Sequence, residues 1–216
     1  MITKLLAACA ALFLIAAPAS AKTLEPVDQS AKDPKLAELI ATLVKACDDK
    51  DFKPFEAALS PDAIASFGGD AGIQGFKDAY GIDSPDTTFY ADFKAAVTMG
   101  GAFMDDATYG APYVYAAWPE ELDSFSYTAA IGDKTMLYAK PEDGAKTVAD
   151  VTHQFLEVIE EAPDAKGAAP DGWIHVKAGK QTGYVKYAET RSPLNYRAVF
   201  QKTENRWWLG AFVSGD

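Results

Sequence analysis

The sequence predicts an α+β fold in which an N-terminal helical part is completed by a C-terminal β-hairpin, with a small β-barrel inserted between them. Three observations predict it. Apolar residues recur at helical spacing through much of the first hundred residues. From Phe125 onward the pattern becomes a series of short β-type runs separated by turn residues. The final stretch, 193–216, reads as one longer hairpin whose apolar density differs from the runs before it. The implied division is 22–124 for the helical part, 125–192 for the barrel and 193–216 for a hairpin that returns to pack on the helices. Such an insertion is physically reasonable where chain ends lie close together.

Residues 1–21, MITKLLAACAALFLIAAPASA, have the three parts of a secretory signal peptide. Lys4 supplies the positive start, Leu5 to Ala17 an apolar run too short to span a bilayer, and Ala19-Ser20-Ala21 a small-residue cleavage site. Leu6-Ala7-Ala8-Cys9 resembles a lipoprotein cleavage box but comes too early in the apolar run. Cleavage after Ala21 is therefore expected, with the mature chain in the periplasm or secreted and no membrane insertion after cleavage. The whole chain has 216 residues and a net charge of −11, which loss of Lys4 takes to −12. That charge repels phosphate backbones and anionic lipid, which argues against nucleic acid as a partner. The hydrophobic fraction, 49%, is ample for a core in one large domain or two small ones.

The helical part opens with a polar stretch, Lys22 to Ala31, that reads as a flexible leader. Asp33-Pro34 then starts a helix, with Asp as N-cap and Pro at the first helical position. Leu36, Leu39, Ile40, Leu43, Val44 and Cys47 follow on one face. A short helix over Phe52 to Leu59 ends at Ser60-Pro61. Ile64 to Phe67 is a strand or bend that breaks into Gly68-Gly69-Asp70-Ala71-Gly72. Further helices are expected over Ile73 to Tyr80, stopped by Gly81, and over Thr87 to Met99. Pro112 to Pro119 reads as an aromatic extended stretch.

The β-type runs are Tyr127 to Ile131, Thr135 to Tyr138, Val148 to Val151, Phe155 to Ile159, Trp173 to Val176 and Thr182 to Val185. Their spacing suggests a small barrel. Pro163 to Gly172 is loop chemistry. The tail pairs Asn195 to Phe200 with Trp207 to Val213 across Gln201 to Arg206.

The segment from Tyr127 to Ser192 resembles the bacterial SH3-like (SH3b) domain family. Thr135-Met136-Leu137-Tyr138-Ala139-Lys140-Pro141 stands at the family's first strand and proline turn. Val148 to Val151 and Phe155 to Ile159 stand at its middle strands. Gly172-Trp173-Ile174-His175-Val176 and Gly183-Tyr184-Val185 match its closing hairpin. The flanks around Ser66-Phe67-Gly68-Gly69-Asp70 and the Trp207 to Asp216 ending resemble exported bacterial proteins that carry such a segment. The resemblance implies an SH3-like barrel and recognition of peptide or peptidoglycan-type ligands in the cell envelope, and it implies no activity for the flanks.

Binding is the function class with the most support. Tyr138, Trp173, Tyr184 and Tyr187 are four aromatics in one small unit, and shallow aromatic surfaces suit peptide or glycan contact. Core packing is the competing reading for Trp173 and Tyr184. Arg191, Arg197 and Arg206 either pair with the acidic body or hold a carboxylate-bearing ligand. Cys47 with His153 or His175 is the one Cys/His set of the mature chain, and Cys47 on an apolar helix face reads first as a buried structural thiol. No Gly-x-Ser-x-Gly elbow, Walker loop or Rossmann fingerprint is present. Asp62, Asp70, Asp78, Asp105 and Asp106 match no calcium loop, so neither a metal nor a cofactor is expected. Glu120-Glu121, Glu160-Glu161 and Glu56 with Asp62 read as solvated surface. The expectation is an exported, non-catalytic binding module whose partner is a cell-wall peptide or envelope protein. An envelope hydrolase with its site in the helical part, or a scaffolding protein, is the alternative.

Overall fold

The computed structural model describes residues 22–66, 68, 71–160 and 172–215. The expected signal peptide, residues 67, 69 and 70 of the glycine loop, and 161–171 of the long loop lie outside the described residues. The fold is mixed α+β, with five α-helices and two sheets among the described residues.

Helix α1 spans Pro34–Asp49 and α2 Lys53–Ala58. The Asp33 carboxylate caps α1, accepting from the N–H groups of Lys35 at 3.0 Å and Leu36 at 3.4 Å. The helix ends on Lys50, whose left-handed backbone lets its N–H reach the carbonyls of Ala46 and Cys47. Its inward face buries Leu36, Leu43, Ala46 and Cys47, as its spacing dictates. Strand β1, Leu59–Ile64, follows α2 directly, so Ser60-Pro61 lies inside a strand where the sequence suggested only a helix stop. Pro61 is tolerated because β1 is an edge strand. Helices α3, Gly72–Tyr80, and α4, Phe89–Val97, come next. Gly81 ends α3 in the left-handed conformation.

Asp33 also ties the start of α1 to the C-terminal hairpin through Lys202 Nζ at 2.7 Å. Chiefly because of that contact, its carboxyl is held well below the usual carboxylate range. A carboxyl whose folded pKa is depressed stabilises the fold above its unfolded pKa, near 4, and loses that contribution as pH falls toward the folded value. Asp33→Ala is accordingly expected to cost about 1 kcal/mol or somewhat more at neutral pH. The gap between wild type and Asp33→Asn should narrow below about pH 4 in urea titrations, since the wild-type carboxyl is then losing its charge. A gap that widens on acidification would contradict the assignment.

Strands β2, Ala102–Phe103, and β3, Thr108–Ala111, lead into α5, Tyr113–Ala116. The stretch expected to be extended is thus a helical turn. The Pro112 carbonyl accepts from the N–H groups of Tyr115 and Ala116, and the turn buries Tyr113 and Val114 together. The second sheet is drawn from β4 (Tyr127–Ala130), β5 (Met136–Tyr138), β6 (Thr147–Asp150), β7 (Phe155–Glu160), β8 (Trp173–Ala178), β9 (Gln181–Lys186) and β10 (Thr190–Arg191). The chain closes with β11 (Arg197–Thr203) and β12 (Arg206–Val213). Glu204 and Asn205 both have positive φ between these two, the geometry of a two-residue hairpin turn.

The first sheet has the order β1-β12-β11-β3-β2, with β1 parallel to β12 and the other pairs antiparallel. Helices α1 to α4 cover it through an aromatic core. Phe55 meets Phe93 edge-on at 4.9 Å and Phe89 at 5.0 Å, and Phe212 of β12 meets Phe93 at 5.2 Å. The second sheet has the order β10-β4-β7-β8-β9-β5-β6 and its own apolar interior of Leu137, Val151, Leu156, Val176 and Val185. It does not close, which corrects the expected barrel. Its outer strands are β10, only two residues long, and β6, whose Thr147, Val148 and Asp150 are exposed. Neither edge offers a long apolar face that closure would bury.

A third apolar cluster lies between the two sheets. It joins Leu24, Tyr113, Val114 and Ala129, with Trp118 packed edge-on against Phe155 at 5.0 Å. Here the supposed flexible leader proves to be held in place. The Leu24 N–H donates to the His153 carbonyl at 2.7 Å, and the Gln29 N–H to that of Gly101 at 2.9 Å. The Tyr109 hydroxyl donates to Asp28 at 2.9 Å. Leu24 and Val27 are the physical reason, since each places an apolar side chain in this junction.

Candidate functional site

The β8–β9 hairpin alternates strictly. Ile174, Val176 and Ala178 of β8, with Gly183 and Val185 of β9, point inward and are buried. Trp173 and His175, with Tyr184 and Lys186, take the other face and are half-buried. His175 pairs with Tyr184 and Trp173 with Lys186, so each pair shares that outer face. Across β9, Tyr138 of β5 pairs with Tyr184 and joins the same row.

Ring geometry binds the row together. Tyr138 meets Trp173 edge-on with centroids 5.4 Å apart, and Tyr184 stacks on His175 at 4.6 Å and 15°. The Lys186 ammonium lies 5.6 Å from the Trp173 ring centre and pairs with Asp143 at 2.6 Å. The result is an aromatic surface spanning three strands, β8, β9 and β5, with one cation at its margin. Such a surface offers faces and edges for CH and amide groups of a ligand.

Gly183 makes this surface possible. A Cβ there would stand 2.4 Å from the Tyr138 carbonyl oxygen and 2.9 Å from Leu137 Cγ. Only glycine lets β5 approach β9 closely enough to bring Tyr138 beside Trp173. The Gly-Tyr-Val stretch therefore has two roles, close approach at Gly183 and an outward ring at Tyr184.

Three of the four expected aromatics, Tyr138, Trp173 and Tyr184, share this surface. Tyr187 does not. It leaves β9 on a 3-10 turn, Tyr187–Glu189, and lines a separate cleft with Asp92 of α4, Arg191 of β10 and Tyr196. His175, a member of the Cys/His set in the sequence and alternating there with Trp173, belongs to the aromatic row. Its place two residues after Trp173 on a strand was the signal for that.

The Cys/His pair does not form. Cys47 sits in the first core with α1, and burial pushes its thiol up to about 12, the opposite of what a thiolate nucleophile needs. His153 Nδ1 meets Glu25 at 2.7 Å and His175 stacks on Tyr184, both in the second sheet's neighbourhood. Among the carboxylates, Glu121 pairs with Lys22 and Glu56 with Lys77, each at the surface. Among the described residues no cluster of three or more His, Cys, Asp or Glu could hold a metal ion. No described helix is long and apolar enough to cross a membrane.

The three arginines also separate. Arg206 lies over the Trp208 ring at 3.7 Å and donates to the Ala57 carbonyl. Arg197 donates to the Leu194 and Gly215 carbonyls and faces the Tyr115 ring. Arg191 reaches the Tyr196 carbonyl at 2.6 Å from the cleft that Tyr187 lines. No family model matches the chain, and no curated protein or solved structure matches it significantly.

Proposed function

We propose that this is an exported, non-catalytic binding protein of the cell envelope whose second sheet is an SH3-like recognition module for peptide or peptidoglycan-type ligands. The observation that carries the reading is the half-buried row Tyr138, Trp173 and Tyr184 on one outer face. Core aromatics would be sealed. These are each half-buried, and the sheet has a separate apolar interior on its opposite face. The SH3-like resemblance gains support because Trp173, Gly183, Tyr184 and Val185 fall on adjacent strands of one hairpin, with Gly183 inward and Tyr184 outward. On this reading residues 125–192 form the module, inserted between the helical part and the hairpin that completes it.

The test is retention of the purified protein on isolated sacculi and on soluble stem peptides. Trp173→Ala is expected to weaken retention about tenfold or more, as truncating a central aromatic anchor does. Tyr184→Ser, made at a position outside the interior, serves as the second variant should Trp173→Ala lower stability. Absence of retention by wild type, or retention unchanged in both variants, would remove the reading.

A further inference from the structure

The cleft beside Tyr187 is chemically unlike the aromatic row. It measures about 330 Å³, within the range of small-molecule sites. Its walls come from α4, from the turn and strand holding Tyr187 and Arg191, and from the segments around Tyr196 and Ser214.

The frame is fixed by backbone hydrogen bonds. Arg191 pairs with Ala129 in the sheet, and the Thr190 hydroxyl donates to the Tyr187 carbonyl at 2.9 Å. The Asn195 N–H donates to the Ser192 carbonyl and the Gly215 N–H to that of Leu194. Tyr196 stacks on Phe212 at 5.0 Å and 15°, which anchors that wall to the first core. A cleft held this way needs little ordering when a ligand enters.

Arg191 is the anomaly within it. Its Nη2 donates to the Tyr196 carbonyl at 2.6 Å. Its Nε is buried and has no hydrogen-bond partner, and among the described residues no carboxylate forms an ion pair with the guanidinium. A buried charged donor without an acceptor is costly, and native structures seldom leave one without a reason. Burial also lowers the Arg191 pKa, in keeping with a cation withdrawn from water. With no counter-ion at the buried Nε, the guanidinium's charge is left for a ligand at its outer Nη1 and Nη2 end, where a carboxylate can accept from two adjacent N–H groups at once. Asp92 lines the same cleft, half-buried, and sets an opposite charge on the α4 side. A simple anion would feel that repulsion, whereas a ligand bearing both a carboxylate and an ammonium would meet both charges.

We propose that this cleft binds a small amino-carboxylate, an amino acid or dipeptide, with its carboxylate on the outer side of the Arg191 guanidinium and its ammonium toward Asp92. The site stands apart from the aromatic row and does not depend on it, so either can fail alone.

The experiment is an NMR titration of the full mature chain with alanylalanine, following the Arg191 Nε–H resonance. Three probes are compared: alanylalanine, its C-terminal amide and its N-acetyl form. The Nε–H signal is expected to shift with alanylalanine and to stay in place with the amide. N-acetylation should weaken binding several-fold. Arg191→Lys keeps the charge but loses the planar edge, and is expected to weaken binding about tenfold. Asp92→Asn, which keeps the size of this half-buried side chain on the cleft wall, should abolish the difference between the free and N-acetyl dipeptides. An Nε–H signal unmoved by alanylalanine, or moved equally by acid and amide, would overturn the carboxylate assignment. Equal binding of the N-acetyl form by wild type would overturn the role of Asp92. Sulfate alone moving the signal would also count against an amino-carboxylate.

Discussion

Phe212→Ala is expected to cost about 3–5 kcal/mol of stability, the range for removing a fully buried phenylalanine. Phe212 sits on β12 with no exposed surface and meets four rings: Phe93 at 5.2 Å, Phe89 at 5.7 Å, Tyr80 at 5.4 Å and Tyr196 at 5.0 Å. The Tyr80 hydroxyl also donates to the Phe212 carbonyl. The cavity left by alanine would open between α3, α4 and the C-terminal hairpin, where rigid rings cannot easily collapse to fill it. For a chain of this size the melting midpoint should drop on the order of 10 °C. Trp208→Ala is the matched control. Trp208 is half-buried on the same strand and points to the other face, so its loss should cost far less. Differential scanning calorimetry of both variants decides the matter. Equal losses would mean that the C-terminal hairpin does not complete the first core in the way its packing describes.

Gly183→Ala is the second large effect. Unlike Phe212, it adds an atom where there is no room. The added Cβ meets a backbone oxygen, Tyr138 O, which cannot rotate away as a side chain would. Strand β5 must then shift from β9, at an expected cost of about 1–3 kcal/mol. The shift would separate Tyr138 from Trp173, and the ring-current shifts that each induces in the other should collapse in the NMR spectrum. Sacculus retention, if it depends on the aromatic row, should fall with them. A melting midpoint and ring shifts equal to wild type would sink the close-approach argument. The two substitutions also report on different parts of the molecule. Phe212 belongs to the first core, while Leu137 and Val185 beside Gly183 belong to the second. Their stability losses should therefore add.

The two sheets meet through few groups, and these set how the parts sit together. Leu24, Val114 and Ala129, with Trp118 against Phe155, form an apolar joint reinforced by the Leu24 N–H to His153 carbonyl bond. The N-terminal segment is thus a strap across the joint. Its sequence, Lys22 to Ala31, places two apolar aliphatics, Leu24 and Val27, in the joint, and the partners they meet lie more than seventy residues away along the chain.

Local rules were sufficient for α1 to α4, whereas α5 formed where an extended stretch was expected. Asp33-Pro34 and the Leu36 to Cys47 spacing determined α1, because a cap and an amphipathic face are properties of adjacent residues. Gly81 was legible for the same reason, while the tail hairpin was legible with its connection set at Gln201 to Arg206, where the strands leave only Glu204 and Asn205 as the turn. The strand runs 127–185 were legible as short β-type runs separated by turn residues, and so was the presence of an aromatic cluster near the β8–β9 hairpin. What local residues could not determine was decided by tertiary structure. Strands β2 and β3, with two and four residues, exist only because β11 pairs with β3. The second sheet stays open because its outer strands lack long apolar faces, a matter of pairing and not of composition. Tyr187 and Tyr184 are three residues apart, yet a single 3-10 turn sends them to different sites. The cleft of Arg191 joins α4 to a segment a hundred residues later, so no window of sequence contains it. Periodicity and capping are written in neighbouring residues. The faces brought together by distant chain segments are set by the packing of the whole molecule.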